Sequence, residues 1–200
     1  MGENEHYYSE HPTSAVKERE YTQRIKDTEL TLTSVSGVFA FEGWVDRASQ
    51  LLIEAFRPSG ASVLDLGCGY GAVGLFIKAM YEKQSVVLSD INERATEYAL
   101  KNASRNHLDI KALKSDLYSE FEGILFDDIV TNPPIASGKK LLTQLINEAF
   151  DHLNANGALW LVAYHNKGGG TLRDIMRARF GNAEDVVRSG GIRVYRSVRK

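Results

Sequence analysis

The hydrophobic pattern of the chain has a regular order from residue 62 onward. Short apolar runs, each typical of a buried strand, alternate with longer segments in which apolar residues recur at helical spacing. The apolar runs predict strands over residues 62–66, 85–89, 110–113, 126–131 and 158–163. The segments between and after them predict helices over residues 71–81, 92–105, 141–153 and 171–180.

The end of the chain departs from this order. Two strand-like segments, 183–187 and 192–198, are joined through Ser189, Gly190 and Gly191, which predicts an antiparallel hairpin at the edge of a sheet. The whole pattern therefore predicts an α/β fold, with a mostly parallel seven-stranded sheet and helices on both faces. Ligands of such sheets bind beyond the carboxyl ends of the strands, where the strand order reverses, so the loops after the first, second and fourth strands form the candidate site.

The segment before residue 62 is less regular. Residues 27–34 predict a short strand, and residues 45–56 have the spacing of a helix. Residues 1–26 are polar and without clear periodicity, which predicts an N-terminal arm. A chain of 200 residues fits one hydrophobic core, so residues 27–200 are predicted to form a single domain.

Composition excludes several classes of protein. With 43% hydrophobic and 25% charged residues, the chain has enough apolar material for a core. It lacks an apolar run of membrane-spanning length, and its first residues do not resemble a secretory signal. A single cysteine, Cys68, excludes an internal disulfide framework and suits a reducing compartment, so we expect a cytoplasmic protein. The five histidines show no ligand spacing, and we expect no metal site.

Charge is distributed unevenly along the chain, although the net charge is only -2. Residues 166–200 carry nine basic and three acidic side chains, whereas the rest of the chain is acidic overall. Cationic side chains release counterions from nucleic acid, so this segment could contact phosphates. A solvated basic surface without a nucleic-acid partner is an equally good interpretation.

A glycine-rich loop is the first chemical signal. The apolar strand at 62–66 contains Asp65 and leads into Gly67-Cys68-Gly69-Tyr70-Gly71, where the next helix is predicted to begin. Glycines let the backbone turn sharply and approach a ligand closely. Because Asp65 precedes the first glycine, the loop would repel a pyrophosphate and suits a cationic ligand with an amino acid end. The alternative is a structural turn without a ligand.

This run resembles the first motif of class I methyltransferases that use S-adenosylmethionine. The resemblance implies a Rossmann-like fold and a cofactor site in which Asp90, at the end of the second strand, accepts the ribose hydroxyls. It places Asp116, in Ser115-Asp116-Leu117, beside the adenine amino group. The implied cofactor-binding residues are Asp65, Gly67, Cys68, Gly69, Gly71, Asp90, Ile91, Ser115, Asp116, Leu117 and Asn132.

A proline-rich turn, Thr131-Asn132-Pro133-Pro134-Ile135, is the second chemical signal and follows the fourth strand of the series. An amino group has two N–H donors, so the Asn132 side-chain oxygen and the Pro133 carbonyl could hold it with its lone pair facing a methyl sulfonium. Such a transfer needs neither a metal nor a covalent nucleophile. A proline-rich turn without a catalytic role is the alternative.

The fourth position of this motif narrows the resemblance. In amino methyltransferases acting on adenine, cytosine or a glutamine side chain, Asn-Pro-Pro is usually followed by an aromatic residue, but here the residue is Ile135. Asn-Pro-Pro-Ile, with Ser137, Gly138, Lys139 and Lys140, resembles the ribosomal RNA small-subunit methyltransferase C family, which methylates guanine N2. The resemblance covers about residues 27–200 and is closest to short, stand-alone archaeal members, whereas the longer bacterial members have a second, degenerate domain before this one.

The family resemblance implies an S-adenosylmethionine-dependent RNA methyltransferase acting on guanine N2, most simply in 16S ribosomal RNA. The implied catalytic residues are Asn132, Pro133, Pro134 and Ile135, and the implied substrate-binding residues are Phe39, Lys139 and Lys140. Phe39 could instead be a buried structural aromatic, and the lysine pair could simply be solvated. Substrate alternatives are tRNA, a protein glutamine or a small molecule, and a non-catalytic RNA-binding scaffold is a further alternative. Whether the chain is a monomer or a homodimer stays open.

Overall fold

The computed structural model describes residues 15–200. Residues 1–14, which make up the first part of the predicted arm and include His6 and His11, lie outside the described residues. The strands are β1 (Glu18–Ile25), β2 (Thr28–Val35), β3 (Ser62–Leu66), β4 (Ser85–Asp90), β5 (Lys111–Lys114), β6 (Phe126–Thr131), β7 (Leu153–Tyr164), β8 (Glu184–Ser189) and β9 (Ile192–Val198). The α-helices are α1 (Arg47–Ala55), α2 (Ala72–Met80), α3 (Glu93–Arg105), α4 (Lys139–Asp151) and α5 (Gly169–Phe180), and short 3₁₀ turns occupy Ser119–Phe121, Ile135–Ser137 and His165–Lys167.

Seven of these strands form one sheet in the order β5-β4-β3-β6-β7-β9-β8. Neighbouring strands from β5 to β7 are parallel, whereas β9 pairs antiparallel with both β7 and β8. The predicted mostly parallel sheet with an antiparallel hairpin at its edge is therefore confirmed. From β3, the chain first builds outward to β4 and β5 and then returns to place β6 on the other side. The strand order thus reverses between β3 and β6, where a ligand site is expected.

Helices cover both faces of this sheet, as predicted, and each face has its own hydrophobic core. Helices α1, α2 and α3 pack on one face with buried side chains such as Ile53 and Phe76. Helices α4 and α5 pack on the other face with Ile146 and Met176. Burial of a large aliphatic or aromatic side chain contributes about 1.5–3 kcal/mol, so both layers stabilise the sheet that carries the loops at its carboxyl edge.

Local sequence signals account for several element boundaries. Helix α3 begins after Asn92, whose side-chain oxygen accepts the backbone N–H groups of Arg94 and Ala95 at 3.0 and 3.3 Å. This is the N-cap that the sequence predicts. Strand β7 starts earlier than the apolar run at 158–163, since Leu153 pairs with Phe126 before a shift in register. An apolar run alone does not reveal that irregular first part of the strand.

The predicted N-terminal arm requires a correction. Residues 18–25, which lie inside that arm, form β1 and pair antiparallel with β2 over the full length of both strands. Most side chains of β1 are exposed, so its sequence carries no apolar alternation that would predict a strand. Its order comes from backbone pairing instead.

The hairpin of β1 and β2 is attached to the domain through α3. The Asn102 side chain accepts the N–H of Thr33 at 2.8 Å and donates to its carbonyl at 3.0 Å. Asn106 makes the same pair of hydrogen bonds with Thr31, at 3.0 and 2.8 Å. These two side-chain amides satisfy the free edge of β2 as a neighbouring strand would.

Candidate active site

A cavity of about 810 Å³ opens at the carboxyl ends of the parallel strands, beside the reversal of strand order. Its walls come from the loops after β3, β4, β5, β6 and β7, and from the segment before α1. Cavities of this size hold small-molecule ligands in other proteins. The cavity thus lies where the order of strands and helices along the sequence predicts a site.

The glycine loop after β3 forms part of one wall. The N–H groups of Gly67 and Cys68 donate to the Ser89 carbonyl at 2.8 and 2.9 Å, which ties the loop to β4. Gly67 and Gly69 line the cavity, both with positive φ. A side chain at Gly67 would meet no other atom within 4 Å, so the bare backbone faces open space that a ligand can approach.

Two other predicted residues of the loop, Cys68 and Gly71, are not among the cavity-lining residues. Cys68 is buried, and its burial raises the pKa of the thiol well above the usual value. Gly71 has a φ of 95°, and an added Cβ would lie 3.1 Å from side-chain atoms of Ala99, Leu75 and Leu88. Gly71 therefore allows close packing behind the loop.

Asp65 lies beneath the loop, also outside the cavity-lining residues. Only 2% of the residue is exposed, and its Oδ2 accepts the Gly74 N–H at 2.8 Å. Burial raises the pKa of Asp65 to about 7, and the nearby Asp90 charge adds to this rise, while the hydrogen bond from Gly74 opposes it. Asp65 holds the start of α2 against the end of β3.

Asp90, at the end of β4, lines the cavity together with Ile91. One carboxylate oxygen of Asp90 accepts the Gly69 N–H and the other accepts the Asn92 N–H, each at 2.9 Å. Burial raises the pKa of Asp90, although hydrogen bonds from the backbone of Asn92, Gly69 and Ile91 lower it. The carboxylate is therefore held in one orientation between the glycine loop and α3, with lone pairs left for a ligand.

The segment after β5 places Ser115, Asp116 and Leu117 on the cavity wall. The Ser115 hydroxyl donates to the Leu117 carbonyl at 2.8 Å. Leu117 has a backbone φ of 48°, a left-handed value that residues other than glycine rarely adopt. This conformation gives the turn a specific shape. Asp116 is exposed at the rim.

All four residues of the motif after β6, Asn132 to Ile135, line the cavity. The Asn132 side-chain nitrogen donates to the Ser49 hydroxyl at 2.9 Å and to Asp46 Oδ1 at 3.4 Å. Both partners belong to the start of α1. The amide is therefore oriented by its nitrogen, and its oxygen is the atom left to accept a hydrogen bond from a ligand.

Asp46 and Ser49 are site residues that sequence reasoning missed. The predicted helix at 45–56 begins one residue before Asp46, whereas in the structure Asp46 is the N-cap of α1 and accepts the N–H groups of Ala48 and Ser49. An aspartate just before an apolar periodic segment is a recognised N-cap signal, so Asp46 could have been found. Its contact with Asn132, 86 positions away, had no signal in a single sequence.

The mouth of the cavity carries aromatic and basic side chains. Phe39 is 39% exposed and Tyr164 is 43% exposed, and both line the cavity. Lys167, a further lining residue, places Nζ 5.4 Å from the centroid of the Tyr164 ring. The predicted substrate-binding residues Lys139 and Lys140 are exposed at the start of α4 and are not cavity-lining.

The basic C-terminal segment is largely paired with carboxylates. Arg173 contacts Asp174, Arg179 contacts Asp151, Arg188 and Arg193 contact Asp185, and Arg196 contacts Glu184. Three of these four carboxylates, all except Asp151, belong to the segment itself and are already counted in its charge. The ion pairs therefore leave most of its excess of basic side chains in place.

Within residues 15–200, no group of three or more metal-binding side chains comes together, and none of the helices is long and apolar enough to cross a membrane. The polar residues that line the cavity include Asp46, Asp90, Asp116 and Asn132. Together, these groups can hold and orient ligands that present N–H or O–H donors.

Comparison with known proteins identifies the family. The sequence model of the methyltransferase small domain family matches residues 29–196, which are most of the chain. The chain belongs to the methyltransferase small domain family. Its fold is shared with solved methyltransferases, among them one from Pyrococcus furiosus that aligns with a TM-score of 0.65 over 74% of this chain and 80% of that chain.

The relatives that match over most of the chain include a Bacillus protein and a Haemophilus enzyme. The uncharacterized protein YbxB of Bacillus subtilis is 37% identical over 169 residues, which are 82% of this chain and 84% of that protein. The ribosomal RNA small subunit methyltransferase C of Haemophilus influenzae is 34% identical over 172 residues, which are 84% of this chain and 51% of that enzyme. The chain thus spans about half the length of that enzyme.

A solved structure extends the comparison. The 16S rRNA guanine-N2 methyltransferase RsmC of T. thermophilus, in complex with AdoMet and guanosine, aligns with a TM-score of 0.81 and 28% identity. The alignment covers 94% of this chain and 52% of that one. The resemblance seen in the glycine loop and the Asn-Pro-Pro-Ile motif therefore extends through the three-dimensional structure.

Proposed function

We propose that this protein transfers a methyl group from S-adenosylmethionine to the exocyclic N2 of guanine in ribosomal RNA. The observation that carries this proposal is the orientation of Asn132. Its side-chain nitrogen is engaged by Ser49 and Asp46, so its oxygen is available to an amino group in the cavity. The names of the relatives, which include guanine-N2 and ribosomal RNA methyltransferases, support the same chemistry.

The residues around the cavity fit S-adenosylmethionine. Gly67 has open space where a side chain would lie, so the loop backbone can approach the amino acid end of the cofactor. The Asp90 carboxylate, held by two backbone N–H groups, would accept the ribose hydroxyls, and Asp116 at the rim would face the adenine amino group. When bound, the cofactor supplies a methyl group that is already activated by a positively charged sulfur.

Asn132 and Pro133 would position the methyl acceptor. The Asn132 side-chain oxygen and the Pro133 carbonyl each accept one N–H of the amino group, which directs its lone pair toward the methyl carbon. The new N–C bond forms as the S–C bond breaks, its electron pair stays on sulfur, and one proton of the amino group is released. Alignment and exclusion of water would provide most of the rate enhancement.

A guanine must leave its base stack to reach Asn132. Unstacking costs a few kcal/mol, which favours an unpaired or exposed guanine as the substrate. Phe39 and Tyr164 at the cavity mouth offer exposed rings on which a flipped base can pack. They provide the aromatic surface that Ile135 lacks. We further infer that residues 27–200 act as the catalytic domain, with β1 added to it, and that the protein works in the cytoplasm.

The test is methyl transfer from labelled S-adenosylmethionine into separated ribosomal RNA, ribosomal subunits and tRNA that lack their own modifications. Nucleoside mass spectrometry should detect N2-methylguanosine in ribosomal material. Asn132→Ala should abolish turnover but leave cofactor binding, measured by calorimetry, within about threefold of wild type. Asn147→Ala, the same substitution at an exposed position of α4, is the matched control and should retain activity.

Each other outcome has a definite meaning. A methylated nucleoside found only in tRNA would keep the chemistry and replace the substrate. Label in protein or small molecules alone would move the activity to another substrate class. Cofactor binding without label in any acceptor would support a non-catalytic scaffold. Full activity of Asn132→Ala would contradict the assigned role of the amide.

A further inference from the structure

Asp46 has an unused hydrogen-bond acceptor beside the proposed methyl-acceptor position. Its Oδ1 accepts the N–H groups of Ala48 and Ser49, at 3.0 and 3.1 Å, and contacts the side-chain nitrogen of Asn132 at 3.4 Å. Among the residues that the structure describes, none donates a hydrogen bond to its Oδ2. Asp46 also lines the cavity that contains Asn132 and Pro133.

We propose that Asp46 determines base specificity by accepting the N1–H of guanine. This inference rests on the proposed transfer to guanine N2. The edge of guanine presents three adjacent N–H donors, two on N2 and one on N1. Asn132, Pro133 and Asp46 all line the same cavity, and Asp46 contacts the Asn132 side chain directly. The Asn132 side-chain oxygen, the Pro133 carbonyl and Asp46 Oδ2 would be the three matching acceptors.

The same carboxylate would reject the other amino-bearing bases. In adenine and cytosine, the ring nitrogen beside the exocyclic amino group carries a lone pair instead of a hydrogen. With the amino group held by Asn132, this lone pair would face Asp46, and two acceptors would oppose each other without a proton between them. Asn132 and Pro133 would accept any exocyclic amino group, so the choice of guanine depends on Asp46.

The position of Asp46 is well defined by its contacts. Its Oδ1 is held by two N–H groups at the first turn of α1, and α1 is anchored in the core through buried Leu52 and Ile53. The same oxygen contacts the amide that orients the methyl acceptor. A recognition group fixed in this way loses little conformational freedom when it binds a base.

A purely structural role as a helix cap is the alternative, and the variant Asp46→Asn separates the two. Asparagine caps helices about as well as aspartate, so its Oδ1 can keep the bonds to Ala48 and Ser49. The second carboxylate oxygen is replaced by an NH₂ donor, which would oppose guanine N1–H. Glu54→Gln is the matched control, because it removes a carboxylate from the same helix, where Glu54 accepts from Gln50 and does not line the cavity.

The decisive substrate pair is guanine and 2-aminopurine at the same position of the RNA. Both bases carry the 2-amino group, but 2-aminopurine has a lone pair at N1. We expect wild type to prefer guanine by about 10- to 100-fold in kcat/KM, the range for a hydrogen bond to a charged group. In Asp46→Asn this preference should disappear or reverse, because the new NH₂ group opposes guanine N1–H and can donate to the N1 lone pair of 2-aminopurine. Glu54→Gln should keep the wild-type ratio.

A loss of stability alone would reduce both rates and leave their ratio unchanged. An unchanged preference for guanine in folded Asp46→Asn would therefore overturn the inference, even if guanine N2 is methylated. Competition binding gives a readout that does not need methyl transfer. Guanosine should compete with fluorescent 2-aminopurine riboside at least about tenfold better for wild type than for Asp46→Asn.

The two proposals fail in different ways. If wild type transfers no methyl group to RNA but binds guanosine with the expected dependence on Asp46, the proposed function fails and the recognition role stands. If wild type binds guanosine and 2-aminopurine riboside with equal affinity, the recognition role of Asp46 fails, whether or not methyl transfer occurs.

Discussion

The buried carboxyl group of Asp65 should make the stability of this protein depend on pH. Burial raises its pKa from 3.8 to about 7 in the folded state. The native state therefore binds this proton more tightly than the unfolded chain does. The stabilisation by Asp65 is complete below about pH 4, decreases as pH rises, and is lost above the folded-state pKa of about 7. At about 1.4 kcal/mol per pH unit, the full loss is about 4 kcal/mol.

The substitution Asp65→Asn removes this titration while keeping an oxygen that can accept the Gly74 N–H. Urea unfolding of wild type and variant, without ligand, should be measured between pH 5 and pH 9. The difference in unfolding free energy should shift in favour of the variant by about 1.4 kcal/mol per pH unit up to pH 7, and then level off. Asp90 and Asp128, whose pKa values are also raised by burial, affect both proteins and largely cancel in the difference.

Asp109→Asn, at an exposed position in the loop after α3, controls for effects of carboxylate removal in general. Wild type and Asp65→Asn should also have similar m-values, since the compared states must expose the same surface on unfolding. A free-energy difference between them that stays constant from pH 5 to pH 9 would refute the reasoning. Asp65 would then be ionised in the folded state at all these pH values.

Three further substitutions test the packing around the sheet by urea unfolding at pH 7. Gly74→Ala should destabilise the protein by about 1–3 kcal/mol, because the alanine Cβ would lie 2.9 Å from side-chain atoms of Leu88. This cost should exceed the gain from the better helix propensity of alanine, and equal stability of variant and wild type would contradict this packing. Ser89→Ala should stabilise by about 1 kcal/mol, because the buried Ser89 hydroxyl has no hydrogen-bond partner among residues 15–200. A loss of stability would reveal a missed partner. Asp128→Ala should cost at least about 3 kcal/mol of stability, because the Ser59 N–H, the Ser59 hydroxyl and the Trp160 indole N–H lose their acceptor. A cost below about 1 kcal/mol would show that water replaces the carboxylate.

Local sequence signals determined most of the architecture. A buried strand needs a short apolar run and a helix needs apolar residues on one face, and both are properties of neighbouring positions. The strand at Phe126–Thr131 and the Asn92 cap were therefore predictable from adjacent residues alone. Strand β1 could not be predicted in this way, because most of its side chains are exposed and show no apolar alternation. Its order comes from backbone pairing with β2.

The candidate site divides in the same way. The glycine loop and the Asn-Pro-Pro-Ile turn could be recognised in the sequence, because their backbone constraints depend on residue types at fixed spacing. Sequence placed Asp65 and Cys68 with the cofactor, whereas the structure buries both and leaves them outside the cavity-lining residues. A run of consecutive residues does not specify which of them face a ligand and which pack behind the loop.

The sequence by itself determined the order of strands and helices, the sheet edge that carries the site, and the chemical groups available there. Tertiary structure alone decided how those groups are oriented. Asn132 is held by Asp46 and Ser49 from a helix more than 80 positions away along the chain. Tyr164 reaches the same cavity from the end of β7. Such contacts depend on how distant elements pack, and packing adds information that a local pattern of residues does not contain.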